Sequence, residues 1–507
     1  MDLLARHAEA HPDTPAVIEG ERRISWRDYH QTRNRLAHGL ARLRLAAGEH
    51  AALYAHNAPE VLLASAAVRA LGVIPVPMNH RLTPDEAGYI LDDSDAVAVF
   101  AGDAFVPMLE RVRERAPRLR HVVLLGAERR PWAHHVGDLV AAGHAGPVAS
   151  PPGLGGSMIY TAGTTGKPKG ARRHAMDPAA ALPRLAALNC VAPGDVHLVA
   201  GPLYHSAPAG FALYAHALGQ TVVVMPRFDA EEALRAIAHH RCTTTFMAPT
   251  LLKRLVDLPA ELRARHDVAS MRSIVVAAAP CPMRVKEAIL AWFGPVLYEF
   301  YGSTELGINT VLRPEDMLRK PHSCGRAAPG VELAILEDDG RPVAAGQPGE
   351  LHVRRGEGVF DGYYKNARAT AETARGDWLS VGDVAWMDGD GFVYICDRKR
   401  DMIISGGVNI YPAEIEDVLH RHPAVEDAAV FGVPDADWGE RVHAALQLRP
   451  GAALTAAEVT AFCRERLAHY KAPREVSFHE AFPRDTAGKL VKRLLREPYW
   501  AGHATRV

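Results

Sequence analysis

The chain has 507 residues, of which 48% are hydrophobic and 23% are charged, a composition typical of folded globular proteins and not of disordered or collagen-like chains. Its 58 Lys and Arg residues against 59 Asp and Glu residues leave a formal charge of −1, without the basic surplus expected of a nucleic-acid-binding protein. At roughly 150 residues per domain, this length indicates more than one compact unit.

The cysteines and the apolar runs indicate the compartment. No two of the six cysteines form a CxxC pair, which argues against a disulfide framework or a structural zinc site. The first residues, MDLLARHAEAHPDTPAV, carry charges where a signal peptide has its apolar core, and the longest apolar runs, such as Ile274–Ala279, are far shorter than the ~18 residues of a membrane span. We therefore expect a reduced, soluble, cytoplasmic protein without a transmembrane segment or a nucleic-acid partner.

Short apolar runs typical of buried strands alternate with longer helical patterns through most of the chain. The predicted strands are Ala51–Tyr54, Val73–Val76, Val97–Ala101, Val122–Leu125, Val222–Val224 and Ser273–Ala277. The predicted helices between them include Glu60–Leu71, Glu231–His240 and Met283–Trp292. This alternation predicts an α/β fold with parallel βα-type sheets and helices on both faces.

From about residue 331 the pattern changes to short strands separated by Gly- and Asp-rich turns, which predicts a small β-rich subdomain over about 331–398. Its predicted strands are Glu332–Glu337, Gly349–Arg354 and Gly391–Cys396, and a helix at Pro412–His420 and a strand at Ala428–Val433 follow. We place a boundary in the charged stretch Asp397–Asp401. The predicted organisation is a large N-terminal domain over 1–398, a hinge at 399–401 and a small α+β C-terminal domain over 402–507.

The strongest local signal is Met158–Arg173, MIYTAGTTGKPKGARR, in which an apolar strand end leads into a loop of glycines, threonines and lysines. Glycines let the backbone approach an anion closely, while hydroxyls and lysines bind phosphate oxygens. No Gly-x4-Gly-Lys-Ser/Thr spacing fits this loop, so a Walker-type ATPase is disfavoured. Taken alone, the loop is either a phosphate-binding loop or a Gly/Thr-rich surface turn.

The segment Tyr160–Gly170 resembles the signature loop of the adenylate-forming enzymes, the superfamily of acyl-CoA synthetases, peptide-synthetase adenylation domains and beetle luciferase. Further motifs of this superfamily follow in the family's order and cover almost the whole chain. Any one of them alone would be weak evidence for the resemblance, but several in the right order are specific. The resemblance is strongest to the bacterial fatty-acyl and related acyl-CoA synthetases. The further motifs are Tyr301–Glu305 (YGSTE), Gly382-Asp383 with Asp388–Phe392, Asp397–Asp401 (DRKRD), Ser405–Gly407 with Asn409–Pro412, and Pro483-Arg484 with Gly488-Lys489.

This resemblance implies two half-reactions, between which the small domain rotates. A carboxylate attacks the α-phosphate of ATP to give an acyl-adenylate and pyrophosphate, and a thiol then takes the acyl group and releases AMP. ATP, Mg²⁺ and coenzyme A are the expected cofactors, a small-molecule carboxylic acid is the expected substrate, and a homodimer is left open. Two alternatives also stay open: an enzyme that loads a carrier protein, and a catalytically lapsed paralogue.

A carboxylate approaching triphosphate is repelled by roughly 1 kcal/mol per pair of unit charges at ~4 Å in water, and by more in a drier site. The site must therefore supply cations and fixed donors. The resemblance implies that Lys489 is the catalytic lysine, that Thr304 donates to the α-phosphate, and that Glu305 and Thr165 bind magnesium. It also implies that the nucleotide contacts Thr161, Gly163, Thr164, Gly166 and Lys169 in the loop, Ala278, Ala279 and Pro280 beside adenine, Glu299, Phe300, Tyr301, Gly302 and Ser303, and Asp383 and Arg398 at the ribose.

The resemblance further implies an acid pocket and a tunnel for the pantetheine arm of CoA. It implies that His205, which matches the family's PLxH position, has a catalytic role at the pocket entrance. Small residues leave space there and no cation is evident, which favours a hydrophobic monocarboxylic acid of medium or long chain, with aryl or alicyclic acids next. The implied acid-pocket residues are Tyr204, His205, Ala207, Gly210, Phe211, Met247, Ala277 and Gly302, the tunnel residues are Ser405, Gly406 and Gly407, and the hinge residue is Arg400.

Three alanines depart from the family's pattern. Ala162 stands where serine is common, and the missing hydroxyl is worth ~1–3 kcal/mol where it contacts a charge, so we expect slower adenylation and not its loss. Ala277 and Ala278 stand where two glycines are common, which affects the acid pocket or the position of the adenine.

Overall fold

The computed structural model describes residues 2–149, 156–161, 168–174, 178–356, 360–399, 401–406, 408–435, 437–484 and 490–501. The chain divides into two compact units. The first comprises Met1–Arg319, Ala327–Val331 and Arg354–Leu379, and the second comprises Lys320–Arg326, Glu332–Val353 and Ser380–Val507. The predicted boundary at 399–401 lies within the second unit and stays a prediction. None of the helices in the described ranges is long and apolar enough to cross a membrane.

A seven-stranded sheet lies at the centre of the first unit. Its strands are parallel except for the last pair, and most of their residues are buried because helices pack on the sheet. In spatial order the strands are Leu297–Glu299, Ser273–Val276, Thr244–Met247, Val196–Val199, Thr221–Val224, Pro15–Glu19 and Arg22–Ser25.

A five-stranded parallel sheet and a three-stranded antiparallel sheet complete the first unit's larger sheets. The parallel sheet runs Ile74–Pro77, His50–Tyr54, Ala96–Ala101, His121–Leu124 and His134–His135. The antiparallel sheet runs Gly362–Tyr363, Lys169–Arg173 and Ser157–Thr161. Two-residue strands are found at Gly302–Ser303, Gly307–Ile308, Thr310–Val311, Arg326–Ala327, Ala374–Arg375 and Trp378–Leu379.

Helices of the first unit begin at polar caps where the sequence provides them. Thr83 and Glu86 form a reciprocal capping box at one helix start, and the Asp229 carboxylate accepts two backbone N–H groups at another. The α-helices are Leu3–Ala10, Trp26–Ala41, Pro59–Ala70, Pro84–Asp93, Val106–Val112, Val136–Ala142, Pro178–Ala187, Ser206–Ala217, Ala230–His240, Pro249–Val256, Ala260–Arg263, Met283–Phe293, Pro314–Met317 and Ala367–Glu372, with 3₁₀ turns at Asp103–Phe105 and Arg113–Arg115.

The second unit contains antiparallel strands at Leu333–Leu336, Gly349–Arg354, Asp383–Met387 and Val393–Arg398. A further sheet combines Val408–Ile410, Ile403–Ser405, Gly439–Leu448 and Val425–Asp435, with Glu475–Phe478 parallel to the long strand Gly439–Leu448. Its helices are Pro412–His420, Ala456–Arg464 and Lys492–Trp500, with a 3₁₀ turn at His469–Lys471.

These elements confirm the predicted α/β class and most of the predicted segments within one or two residues. The helix Pro412–His420 has the predicted bounds. The third strand of the β-rich segment begins at Val393, two residues later than predicted, because Asp388–Gly391 form the preceding turn.

Candidate active site

Two groups of predicted nucleotide-binding residues, Ala278–Pro280 and Glu299–Thr304, lie at the carboxyl edge of the seven-stranded sheet. The neighbouring parallel strands Ser273–Val276 and Leu297–Glu299 end side by side, and the Phe300 N–H donates to the Val276 carbonyl at 3.1 Å. The segments 277–280 and 300–305 therefore leave the sheet together. Ligands of parallel α/β sheets bind at this edge, where the loops leave the strands.

The described residues at the two ends of the predicted phosphate loop face each other. Thr161 and Lys169 are cross-strand partners in the antiparallel sheet. Next to Lys169, a Cβ on Gly170 would lie 2.9 Å from the Met158 sulfur, so a side chain there would have to displace the buried Met158 side chain. The predicted residues Gly163, Thr164, Thr165 and Gly166 lie outside the described residues, together with Ala162 and Lys167.

Glu305 is the centre of a hydrogen-bond network beside these loop ends. The residue is 7% exposed, and its Oε1 accepts hydrogen bonds from the Tyr363 hydroxyl at 2.8 Å and from the Thr161 hydroxyl at 3.4 Å. Lys169 Nζ lies 5.1 Å from the centroid of the same tyrosine ring, within cation–π distance. A carboxylate held in place in this way provides the hard oxygen ligand that Mg²⁺ prefers. In phosphate sites Mg²⁺ is bound by one or two carboxylates together with phosphate oxygens.

The segment around Glu305 is held by a short hairpin. Gly302 and Ser303 pair with Ile308 and Gly307, and a Cβ on Gly302 would collide with the Gly307 carbonyl oxygen. The Ser303 hydroxyl accepts the Leu306 N–H at 3.1 Å. This hairpin fixes the direction in which Thr304 and Glu305 leave the sheet.

Tyr301 and Thr304 flank the hairpin. The Tyr301 N–H donates to the Thr310 hydroxyl at 3.1 Å, and the Thr304 and Ser206 hydroxyl oxygens lie 3.3 Å apart. Ser206 is the first residue of the helix Ser206–Ala217, so Thr304 connects the nucleotide motif to the helix of the predicted acid pocket.

Ala278, Ala279 and Pro280 are exposed at the end of their strand, and Ala278 has φ of +79°. A residue with a Cβ is strained in this left-handed region, whereas glycine is not. The departure from the family's glycine therefore has a structural consequence: the alanine occupies a conformation suited to glycine.

Glu299 forms a buried ion pair with Lys286 of the helix Met283–Phe293. Burial raises the pKa of the Glu299 carboxyl, and the ammonium of Lys286 opposes that rise. The neighbouring Phe300 packs in a cluster of aromatic side chains. In the described structure these two members of the predicted nucleotide set thus make core contacts.

The helix Ser206–Ala217 carries the predicted acid-pocket residues on one face. Ala207, Gly210, Phe211 and Tyr214 follow the three- and four-residue spacing of a helix face, and a Cβ on Gly210 would lie 4.0 Å from the Tyr214 ring. This face packs into an aromatic and aliphatic cluster, the acid-side cluster, which contains Ala181, Leu185, Phe211, Phe246, Phe300, Ala277 and Ala328, with Ala207 and Tyr214 at its edge.

The rings of the acid-side cluster contact one another closely. Phe211 and Phe246 stack with centroids 5.6 Å apart, and Phe300 lies 6.2 Å from Phe246. Ala277 is in this cluster, while Met247 is fully buried at the end of its strand. Of the predicted pocket residues, Phe211 and Ala277 are in this cluster and Ala207 packs against it.

His205 lies in a chain of rings at the start of the same helix. Its ring is 4.3 Å from that of Tyr204, which is 4.9 Å from His80, and His80 is 4.8 Å from His56. Burial, together with the charges of His56 and two arginines, lowers the pKa of His80 to about 4. His80 is therefore neutral at physiological pH.

Two arginines near the acid-side cluster were not identified from the sequence. Arg173 and Arg184 both interact electrostatically with Tyr214, and Arg173 also interacts with Glu305. No cation was expected in this region from the sequence, because Arg173 ends the predicted phosphate-loop segment Met158–Arg173 and Arg184 lies in the helix Pro178–Ala187, outside every motif. Tyr363 was also missed, since it belongs to none of the motifs.

In the second unit, Asp383 and Arg398 are cross-strand partners, and the Arg398 Nε lies 3.3 Å from the Asp383 carboxylate. Ser405 and Gly406 end a hairpin strand, and a side chain on Gly406 would collide with the Trp438 ring. The predicted residues Arg400, Gly407 and Lys489 lie outside the described residues.

Comparison with known proteins agrees with these motifs. The profile of the AMP-binding enzyme family matches residues 4–364, and that of the AMP-binding enzyme C-terminal domain matches residues 414–489. The chain belongs to the AMP-binding enzyme family. It is an AMP-forming ligase of the acyl-CoA synthetase class, which confirms the predicted superfamily and enzyme class.

Similar AMP-binding enzymes differ in the acid and in the acceptor that their names state. This chain is 32% identical to the fatty acid–[acyl-carrier-protein] ligase ScoC of Streptomyces coeruleorubidus, over 99% of this chain and 96% of the relative. It is 34% identical to the indoleacetate–CoA ligase of Aromatoleum aromaticum, over 98% and 97%. The crystal structure of the anthranilate CoA ligase AuaEII with anthranoyl-AMP matches with a TM-score of 0.89 and 27% identity, over 99% and 98%.

Proposed function

We propose that this AMP-binding enzyme activates a hydrophobic carboxylic acid as its acyl-adenylate and transfers the acyl group to coenzyme A. The observation that carries this proposal is the network in which Thr161 and Tyr363 hold the Glu305 carboxylate while Lys169 lies over the tyrosine ring. One carboxylate and one cation thus lie beside Thr161 and Lys169, at the two ends of the predicted phosphate loop. This arrangement supports a site for Mg²⁺ and a triphosphate.

The two half-reactions assign different tasks to these residues. In the first, the acid's carboxylate oxygen bonds to the α-phosphorus of ATP and the bond to pyrophosphate breaks. Glu305 and Thr165 would hold Mg²⁺, which supplies positive charge to the phosphates when bound. Lys169, Thr304 and the predicted Lys489 would donate to phosphate and carboxylate oxygens as charge redistributes.

In the second half-reaction, the thiol of CoA attacks the acyl carbonyl, AMP leaves, and the thiol proton is released. The predicted tunnel residues Ser405 and Gly406 are candidates for lining the pantetheine path, and the lack of space for a side chain at Gly406 supports a tight turn there. His205 is the candidate group at the entrance to the acid pocket.

For the acid, we propose an apolar body, supported by the acid-side cluster of Phe211, Phe246, Phe300 and Ala277. A medium- or long-chain fatty acid is the first choice from the sequence, with aryl and alicyclic acids next. The names of the relatives cover both kinds, since one is a fatty acid ligase and two act on acids that carry aromatic rings.

A carrier protein is the second candidate for the acceptor, because the relative ScoC is named as a ligase for an acyl-carrier protein. The two acceptors have the same terminal phosphopantetheine thiol, so the first half-reaction does not separate them. The two acceptors are separated by measuring thioester formation with free CoA and with a phosphopantetheinylated carrier protein side by side.

The deciding experiment is an assay of CoA-dependent AMP release over a panel of carboxylic acids, with pyrophosphate exchange measured for the same panel. We expect exchange and AMP release with octanoate, decanoate, palmitate or an aryl acid such as phenylacetate. Faster turnover of acetate or of a dicarboxylate than of octanoate, decanoate or palmitate would refute the apolar acid. Failure of every acid to support exchange would refute the ligase function and indicate a catalytically lapsed paralogue.

A further inference from the structure

A buried asparagine connects loops from the two large sheets of the first unit. Asn57 lies three residues after the strand His50–Tyr54 of the five-stranded sheet and is 7% exposed. Its side-chain amide nitrogen donates to the Gly201 carbonyl at 2.9 Å and to the Met225 carbonyl at 3.0 Å. Its Oδ1 accepts the Leu203 N–H at 2.8 Å. Both N–H donors of this amide and its oxygen are therefore satisfied in the protein interior.

These partners belong to the carboxyl edge of the seven-stranded sheet. One of them directly follows the strand Thr221–Val224, while Gly201 and Leu203 follow the parallel strand Val196–Val199 by two and four residues. In parallel α/β sheets the loops at this edge form the ligand sites. The Asn57 amide thus fixes the path of two such loops from the neighbouring sheet.

The loop 201–205 leads directly into the predicted acid pocket. It ends at His205, the residue before the helix Ser206–Ala217. The hydroxyl oxygen of Ser206 lies 3.3 Å from that of Thr304 in the nucleotide motif. The backbone of this loop therefore sets where His205 and the start of the helix lie relative to the nucleotide motif.

The residue before Asn57 contacts the same loop through a chain of rings. The His56 ring is 4.8 Å from that of His80, which is 4.9 Å from Tyr204, and Tyr204 is 4.3 Å from His205. Ring packing of this kind tolerates small shifts, whereas a hydrogen bond weakens steeply outside a narrow range of distance and angle. The three hydrogen bonds of the amide are therefore the contacts that define the position of the loop.

We infer that Asn57 is a positioning residue for adenylation, which holds the loop 201–205 so that His205 lies in place at the entrance to the acid pocket. This inference rests on the proposed function, because it concerns a residue of the same site. Asn57 acts through the loop backbone and not on the reacting atoms. A reacting or orienting group that moves by about 1 Å after a distant substitution can cost roughly 100-fold in rate.

The test is ATP–pyrophosphate exchange by Asn57→Ala, which removes all three hydrogen bonds, in the wild-type and His205→Ala backgrounds. We expect a loss of about 10- to 100-fold in kcat in the wild-type background. The KM for ATP should change little, because the hydrogen bonds hold loops outside the nucleotide motifs. In the His205→Ala background the further loss should be less than about 3-fold, since the group that Asn57 positions is already missing.

Asn57→Asp provides a second variant with the same shape. It keeps the acceptor for the Leu203 N–H but points a carboxylate oxygen at two carbonyl oxygens, so exchange should be slow at neutral pH. Protonation restores one O–H donor. The exchange rate relative to the wild type should therefore rise as the pH falls, and a ratio that does not change with pH would count against the inference.

The matched control is Asn34→Ala. Asn34 is 1% exposed, and its side-chain amide donates to the Ala145 carbonyl at 3.0 Å, so the same kind of buried hydrogen bond is lost between segments without predicted site residues. Assayed well below the melting temperatures of both variants, Asn34→Ala should exchange like the wild type. Equal losses in Asn34→Ala and Asn57→Ala, or the same loss from Asn57→Ala in both backgrounds, would overturn the inference. Absence of exchange with every acid in the wild type would instead refute the proposed function.

Discussion

Tyr363 offers the sharpest test of the network around Glu305, because a single atom can be removed from it. The substitution Tyr363→Phe deletes the hydroxyl that donates to Glu305 Oε1 at 2.8 Å and keeps the ring, with its contacts to Lys169 and Phe360. The longer hydrogen bond from Thr161, at 3.4 Å, remains. The carboxylate then loses its better donor without losing its packing.

A hydrogen bond to a charged group is worth about 1.5–3 kcal/mol, which corresponds to roughly a 10- to 150-fold loss of rate if the carboxylate must stay oriented during adenylation. ATP–pyrophosphate exchange at a range of Mg²⁺ concentrations measures this effect. We expect a slower maximal exchange and a higher Mg²⁺ requirement, while the melting temperature changes little because the ring stays in place.

The next residue provides the matched control. The Tyr364 hydroxyl donates to the Asp95 carboxylate, also at 2.8 Å, so Tyr364→Phe removes the same atom and the same kind of hydrogen bond from a carboxylate that has no role in the proposed site. Tyr364→Phe should leave the exchange rate and the Mg²⁺ requirement unchanged. Equal losses in the two variants, or wild-type exchange in Tyr363→Phe, would refute the role assigned to Glu305.

Three further predictions follow from the described residues and the motifs. Because Ala278 has φ of +79°, Ala278→Gly should raise the free energy of unfolding by about 1 kcal/mol. Ala277→Gly should lower it, because it removes a methyl group from the buried cluster. Denaturant titration measures both changes. Burial raises the pKa of Asp397 to about 6 against the charge of Lys492, so the folded chain binds more protons than the unfolded chain between about pH 4 and 6. Unfolding free energy should therefore fall by about 2–3 kcal/mol as the pH rises through that window, and Asp397→Asn should remove this part of the pH dependence in thermal melts. Lys489→Ala should abolish pyrophosphate exchange but leave thioester formation from supplied acyl-adenylate largely intact, with Lys253→Ala as the control; equal loss of both steps would contradict the two-step assignment.

The sequence allowed the α/β class, the order of the elements and the enzyme family to be predicted, because these depend on local patterns. Strands such as Ala96–Ala101 are continuous apolar runs, and the helix Pro412–His420 has proline at its first position and apolar residues at helical spacing. The motif Tyr301–Glu305 is contiguous, so its resemblance to the family was visible without any knowledge of contacts. The second unit's pairing of Asp383 with Arg398 also joins two residues that the motifs had already named.

What only the tertiary structure decided is which separate segments meet at the site. Tyr363 reaches Glu305 from a strand 58 positions further along the chain. The left-handed backbone of Ala278 also depends on the path between two sheet strands, which a residue name does not specify. Helices and strands can be predicted from the sequence because they depend on the spacing of apolar residues along a short stretch of chain. The partners of a carboxylate or a cation depend instead on how the sheets bring distant loops to one edge. The sequence by itself therefore identified the family and its motifs, and the fold added the side chains on which the proposed substrate class and the sharpest tests depend.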